Sequence, residues 1–349
     1  MLFVSKEREI LNSGIGNPYF EKVKAIVDAW QGGVSVFTFS SSGSSGIPKI
    51  LTFTREQIIC SVNTTKQAFD LHSNCLFFCN MHVDFVAGSM MVFRALVLEA
   101  DLLVVEPSAN PLLNLGRQEL LISKYRRRVF FAFAPLQMTA ILKDKNSKDL
   151  LINAKHILLG GAPIPDSLNK QLIDSPLSIF EGYGMTETLS HVALRELDDR
   201  PQEFKILPGK QFRINDAGCL ELEYPGMYDG WLKTNDLAQK TGKNTFKILG
   251  RADAVINSGG IKLNLNEIEA KIQKAAIVKD RFFCFGLADE KYGQKLVICI
   301  ENKEKYLEIS DFKSFLGKFE VPKEVYFLEK FKETPTLKID KLKTVHDLA

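Results

Sequence analysis

Val34-Ser-Val-Phe-Thr-Phe-Ser40 runs directly into Ser41-Ser42-Gly43-Ser44-Ser45-Gly46-Ile47-Pro48-Lys49 and then into Ile50-Leu-Thr-Phe-Thr54. The apolar and β-branched residues on the near side predict a buried strand, and those on the far side a second strand. Between them, small residues leave backbone N–H groups open to an anion, the hydroxyls add donors, and Lys49 places a cation at the exit. That is phosphate-handling chemistry. It is not a Walker loop. Counted from Gly43, Pro48 stands where the second glycine belongs and Ile50 where a magnesium-binding hydroxyl should follow the lysine, which disfavours a kinase or GTPase. A flexible Ser/Gly linker has the same composition, but its position directly after an apolar strand argues against one.

The 349 residues suffice for two domains, and 45% hydrophobic content supplies their cores. With 45 basic against 42 acidic residues, the net charge of +3 is too nearly balanced for a nucleic-acid footprint. The run Lys124-Tyr125-Arg126-Arg127-Arg128 falls at the end of a predicted helix, where cations suit the dipole and solvent. Cys60, Cys75, Cys79, Cys219, Cys284 and Cys299 lie mostly in apolar runs without metal-ligand spacing, so buried free thiols in a reducing compartment are expected. Met1-Leu-Phe-Val is followed at once by Ser5-Lys-Glu-Arg-Glu9, and no apolar run approaches the length of a membrane span. A cytoplasmic protein with no membrane span is the expectation.

Outward from the loop, Asn17-Pro18 reads as an N-cap with proline in the first turn, followed by Phe20, Val23, Ile26, Val27 and Trp30 at helical spacing. Thr54-Arg-Glu-Gln57 reads as a capping box opening a second helix. Strand candidates at 75–79, 101–106, 129–134, 156–161 and 177–181 then alternate with helices near 86–99, 117–126, 136–143 and 165–174. Such alternation predicts an α/β fold with a parallel sheet covered on both faces. From about 203 short segments at 204–206, 211–214, 219–224, 231–233 and 246–249 predict an antiparallel sheet or small barrel. Past Arg251 a glycine loop, helix 266–274, strands 281–287 and 296–301, helix 311–318 and strand 325–328 predict a small α+β domain. The expected division is a large domain of residues 1–250 and a C-terminal domain of 251–349, joined at Gly250-Arg251-Ala252-Asp253.

Glu181-Gly182-Tyr183-Gly184-Met185-Thr186-Glu187-Thr188 follows a predicted strand end, where ligands collect in open α/β sheets. Tyr183 offers a flat face for a base, Thr186 a hydroxyl for a phosphate, and Glu187 a carboxylate for Mg²⁺, which prefers few protein oxygens plus phosphate oxygens. A Tyr-Gly pair by itself is more often a turn. Other candidates are the tight turn Leu158-Leu-Gly160-Gly161-Ala162-Pro163, the acidic turn Thr234-Asn235-Asp236, the glycine pair Gly259-Gly260, and Lys338 near the C-terminus.

Taken in order, these stretches resemble the motif set of the adenylate-forming superfamily, which includes acyl-CoA synthetases, luciferases and peptide-synthetase adenylation domains. Its phosphate loop, typically Thr-Ser-Gly-Thr-Thr-Gly-x-Pro-Lys, is matched by Ser41 to Lys49 with serine for threonine. The resemblance implies ATP, Mg²⁺ and CoA as co-substrates and metal, and a small-molecule carboxylic acid as substrate of a monomer or homodimer. It implies adenine beside Gly161-Ala162-Pro163 and Tyr183-Gly184, phosphate and magnesium on Thr186 and Glu187, and ribose on Asp236 with Arg251 nearby. It further implies a hinge at Asp253, a passage for the CoA arm at Gly259-Gly260, and adenylation by Lys338. Asn235 replaces the family glycine and tolerates the left-handed conformation that glycine would supply. Leu337 replaces a glycine before the lysine and Leu265 a proline before Glu267. The chain begins shortly before the phosphate loop, where superfamily members carry a further subdomain. Within the superfamily, Gly160-Gly-Ala-Pro-Ile-Pro165, Glu187-Thr-Leu-Ser-His-Val-Ala-Leu-Arg195 and Ile256-Asn-Ser-Gly-Gly-Ile-Lys262 resemble bacterial o-succinylbenzoate–CoA ligases of menaquinone synthesis. On that resemblance His191 and Arg195 are candidates for holding a substrate carboxylate; an ordinary surface pair is the alternative.

Overall fold

Leu76–Cys79 and Val129–Phe133 are buried at every position. A strand without a polar face must be covered on both sides, as in a parallel sheet with helices above and below. The computed structural model, which describes residues 2–7, 9–12, 16–40, 50–198, 200, 203–334 and 339–348, has that arrangement. Its described residues fall into two compact units: the chain up to Gln211 with Glu223–Gly230, and Phe212–Leu222 with the chain from Trp231 onward. In the first unit Asp101–Val104, Leu76–Cys79, Val129–Phe133, Ala154–Leu159 and Ile179–Met185 lie side by side in that order, every neighbouring pair parallel. Antiparallel strands extend both edges. Leu2–Val4 pairs with Asp101–Val104, while Ser190–Glu196 pairs with Ile179–Met185 and carries Phe204–Ile206 outside it. Phe78, Phe131 and Phe133 fill the sheet's core with Leu103, Ile157 and Met138.

The early helices start where the sequence places them. Asn17 Oδ1 accepts from Tyr19 N at 2.9 Å and caps Pro18–Gln31. Thr54 and Gln57 form the reciprocal box that opens Arg55–Phe69, with bonds of 2.8 and 3.3 Å. The strand before the phosphate loop differs from expectation. Val36–Ser40 is not a buried member of the parallel sheet but half of a separate two-stranded ribbon with Ile50–Thr54, Ser40 opposite Ile50. One face of the ribbon is covered, with Phe39 and Phe53 packed on each other and Phe39 and Phe37 on Phe93. On the other face Val36 and Ile50 are exposed. Alternating burial is what an edge ribbon with one covered face requires, and apolar content alone does not distinguish it from a strand buried on both sides. The loop residues Ser41, Ser42, Gly43, Ser44, Ser45, Gly46 and Lys49 lie outside the described residues, as do Leu337 and Lys338.

Gln211–Ile214, Cys219–Glu223, Trp231–Lys240 and Thr245–Arg251, mostly in the second unit, are hydrogen-bonded in that order. A second sheet has the order Ile261–Asn264, Val255–Ser258, Gly293–Glu301, Phe282–Asp289, with Glu324–Leu328 parallel to Gly293–Glu301. Helix Leu265–Ala275 buries Leu265, Ile268 and Ile272 and packs on Thr245–Arg251. Leu265, where the family has proline, takes the first helical position, and Asn264 Oδ1 caps the helix by accepting from Asn266 N at 3.1 Å. The helix expected over 311–318 is a 3₁₀ turn, Ile309–Ser314, anchored by fully buried Phe312 and followed closely by Gly317. All six cysteines are free, and Cys60 alone of them is half-buried rather than buried. Among the described residues no helix is long and apolar enough to cross a membrane.

Candidate functional site

A Cβ on Gly184 would lie 2.1 Å from the Ser190 carbonyl oxygen and 2.6 Å from His191 Cα, so glycine alone permits this approach of Ile179–Met185 to Ser190–Glu196. The register slips between His191 and Ala193, and the connection is a 3₁₀ turn over Thr186–Thr188. Thr188 Oγ1 closes it, accepting from Met185 N at 3.0 Å and donating to Ser190 O at 2.6 Å. Thr186 and Glu187 are therefore presented half-exposed at the carboxyl end of a parallel strand, the position where open α/β sheets bind ligands. Tyr183 precedes them, its ring 5.7 Å from that of Phe204. On the neighbouring strand, Ala154–Leu159 ends in a turn that leaves Gly161, Ala162 and Pro163 exposed, Gly161 at φ 85° with nothing within 4 Å of a built Cβ.

Arg195 stands opposite Glu181 in the strand register and forms an ion pair with it. Its guanidinium also lies 5.4 Å from the centre of the Phe204 ring. Burial pushes the Glu181 carboxyl up, while Arg195 and the Ile164 amide pull it down. Arg195 is thus paired with a carboxylate of its own chain.

His191 has separate surroundings. It is buried, its Nε2 3.4 Å from Thr65 Oγ1 and its Nδ1 3.2 Å from Ser190 Oγ. Burial first, then Arg94 and Lys210, hold it well below the usual histidine value, so the ring is neutral. Neither cation was singled out from the sequence. Arg94 is 2% exposed and donates to Ser190 Oγ at 2.6 Å and Thr65 Oγ1 at 3.3 Å. Lys210 is 7% exposed, donates to Thr64 Oγ1 at 2.9 Å and sits 4.0 Å from the centre of the Tyr224 ring. Among the described residues no carboxylate pairs with either. Burial lowers Arg94 to about 10 and Lys210 to about 8. Two buried cations held by hydroxyls and an aromatic face are costly unless an anion joins them. The missed signal was Arg94 itself, the one charge in the apolar helix Val86–Val97. Lys210, behind Pro208-Gly209, carries no comparable pattern.

In the second unit, Asp236 and Arg251 face each other in antiparallel register. Arg251 donates to Asp236 Oδ1 at 3.2 Å and grips Asp253 through both nitrogens at 2.8 and 2.5 Å. This pairing is the main reason Asp253 lies below the usual carboxylate range. Asn235 continues strand Trp231–Lys240 without a positive φ, and Thr234 Oγ1 accepts from Asp236 N at 3.1 Å within the same strand. Gly259 and Gly260, with φ 61° and 83°, form the two-residue turn of hairpin Val255–Ser258 and Ile261–Asn264, a geometry with positive φ at both central positions.

Among the described residues no three His, Cys, Asp or Glu side chains cluster as a metal cage. A single half-exposed Glu187 carboxylate fits a Mg²⁺ ion that is held largely by phosphate oxygens and water.

Residues 21–226 match the model of the AMP-binding enzyme family. The 2-succinylbenzoate–CoA ligase of Escherichia coli (strain K12) is 25% identical over 298 residues, covering 81% of this chain and 62% of its own length. The chain thus spans about three fifths of that curated relative. A crystal structure of an acyl-CoA synthetase (AMP-forming)/AMP-acid ligase II-like protein from Dyadobacter fermentans is 34% identical, covers 100% of both chains and superposes with a TM-score of 0.64. The o-succinylbenzoate coenzyme A synthetase of Bacillus subtilis in complex with ATP and magnesium, 18% identical over 88% of this chain and 69% of its own, shares the fold with a TM-score of 0.69. With more than half of its length matched by the family model, the chain belongs to the AMP-binding enzyme family.

Proposed function

We propose that the protein is an AMP-forming acid–CoA ligase for a dicarboxylic acid, o-succinylbenzoate being the acid that its similarity to 2-succinylbenzoate–CoA ligases favours. In the first half-reaction a carboxylate oxygen attacks the α-phosphorus of ATP and pyrophosphate leaves. In the second, the CoA thiolate attacks the acyl carbon and AMP leaves. The phosphate loop with Lys49, Thr186 and Lys338 would stabilise charge developing on phosphate. Tyr183, Gly184 and the Gly161-Ala162-Pro163 turn would hold adenine, Asp236 and Arg251 the ribose, and Gly259-Gly260 the CoA arm. Glu187 would hold Mg²⁺, which supplies charge neutralisation on the phosphates. Residues 251–349 would move about Asp253 between the two steps as a C-terminal domain, in a cytoplasmic monomer or homodimer serving menaquinone synthesis.

The observation that carries the substrate class is the buried pair Arg94 and Lys210, without a carboxylate among the described residues. The second carboxylate of a diacid would complete it, with neutral His191 alongside, whereas Arg195 is already neutralised by Glu181. A screen of o-succinylbenzoate, benzoate and a medium-chain fatty acid with ATP, Mg²⁺ and CoA, reading AMP and thioester, tests this. We expect AMP formation to be strongest with the diacid. Equal or greater turnover of the monocarboxylates removes the dicarboxylate reading, and no AMP with any acid makes the chain a non-catalytic nucleotide-binding relative.

A further inference from the structure

Thr64 and Thr65 are neighbours on helix Arg55–Phe69, and each accepts from one of the two buried cations. Both hydroxyl protons are used within the helix. Thr64 Oγ1 donates to Cys60 O at 3.2 Å and Thr65 Oγ1 to Ser61 O at 3.3 Å, the bond to the fourth preceding carbonyl that helical threonines make. A hydroxyl held this way has its lone pairs left to accept. They receive Lys210 Nζ at 2.9 Å and Arg94 Nε at 3.3 Å. Lys210 and Arg94 both act on His191, the buried ring on the strand that follows the Thr186–Thr188 turn.

Lys210 has a second support. Its ammonium lies 4.0 Å from the centre of the Tyr224 ring, and Tyr224 Oη is 3.0 Å from Thr64 Oγ1, so one hydroxyl network fixes both. With the Thr64 proton on Cys60 O, Tyr224 is the donor in that contact, and Cys60 Sγ in turn donates to Tyr224 Oη at 3.8 Å. Tyr224 is buried, and its segment is tied to the same helix by Gln57 Nε2, which donates to Met227 O at 2.5 Å. All of these residues belong to the first unit.

An ammonium removed from water keeps its charge only where other groups replace its hydration. Thr64 supplies a lone pair and Tyr224 the negative face of a ring, while the remaining N–H groups of Lys210 have no side-chain acceptor among the described residues. We propose that Thr64 and Tyr224 are positioning residues for Lys210, keeping its ammonium charged in the ligand-free protein and holding it for the second carboxylate of the substrate. They thereby set the pH range over which a diacid is used. The inference rests on the dicarboxylate reading of the Arg94 and Lys210 site. Burial lowers Lys210 to about 8. Of the other groups around it, His191 is held neutral, Arg94 is lowered only to about 10, and burial raises the phenols of Tyr224 and, beyond it, Tyr228. Cys60 faces Lys210 from the helix.

The test follows pyrophosphate release with o-succinylbenzoate, ATP and Mg²⁺ from about pH 6.5 to about pH 9.5, because the pH dependence of kcat/KM reports ionisations of the free enzyme. The parent is compared with Thr64→Val, Tyr224→Leu, Tyr224→Phe and Lys210→Met, with thermal unfolding of each. The parent should lose kcat/KM above about pH 8, and Lys210→Met should lack that limb. A limb that belonged to Cys60 would persist in Lys210→Met. Thr64→Val removes the acceptor and Tyr224→Leu the ring face, and each should move the midpoint lower by about one unit. Tyr224→Phe keeps the face and should hold the parent's midpoint; a shift as large as that of Tyr224→Leu overturns the ring's part. If Lys210→Met lacks the limb while Thr64→Val and Tyr224→Leu keep the parent's midpoint, with or without a loss of activity at every pH, the two residues are structural and this inference alone fails. If the limb persists in Lys210→Met, the reading of the cation pair fails and the inference with it.

Discussion

Replacing Arg94 by Met separates what the buried guanidinium costs the free protein from what it gives the complex. Its fall to about 10, caused by burial, corresponds to roughly 3 kcal/mol held against the charged form. Against this stand two hydrogen bonds from a charged donor, to Ser190 Oγ and Thr65 Oγ1, contributing about 1.5–3 kcal/mol each. Thr65 and Ser190 keep other partners, since Thr65 Oγ1 also donates to Ser61 O at 3.3 Å and Ser190 Oγ lies 3.2 Å from His191 Nδ1. The burial cost and the two bonds nearly cancel, so the ligand-free variant should stay within about 3 kcal/mol of the parent. In the complex there is no such cancellation. Removing one partner of a buried charge pair costs about 2–5 kcal/mol, so kcat/KM for the diacid should fall about 30-fold to several thousand-fold. Benzoate, without a second charge, should be affected far less. The assays are thermal unfolding without ligand and pyrophosphate release with each acid. Equal loss with both acids, or a variant destabilised beyond that range, would refute the reasoning and make Arg94 a structural residue.

Lys210 gives the same site a pH signature. Its ammonium is lowered by burial to about 8 in the folded chain against 10.5 when unfolded. Between those values the unfolded chain holds a proton that the folded chain has shed, so ligand-free stability should rise with pH across the window. Diacid affinity should move oppositely, declining above about pH 8, and Lys210→Met should flatten both profiles; unchanged profiles in that variant would sink the assignment. Gly184→Ala should separate Ile179–Met185 from Ser190–Glu196, because the new Cβ meets backbone at 2.1 Å. We expect a loss of several °C in Tm with loss of AMP formation, and a fully active, equally stable Ala variant would show that the close approach is not needed.

What the sequence by itself determined is what is local. The Asn17 cap, the Thr54-Gln57 box and the period of the parallel strands are decided within a few residues by backbone hydrogen-bonding needs and side-chain direction, and they reappear where the pattern put them. The glycine turn at Gly259-Gly260 is local for the same reason. Burial on one face or two is not local, which is why Val36–Ser40 read as a core strand and is an edge ribbon. Partner choice is less local still. Arg195 lies beside Glu187 in sequence, but strand register sets it opposite Glu181. Arg94 and Lys210 are separated by more than a hundred residues, and the packing of helix Val86–Val97 over strand Ser190–Glu196 sets Arg94 on the same buried histidine that Lys210 also bears on. A charge's meaning depends on which solvent and which counter-charge surround it, and only the tertiary structure decides that.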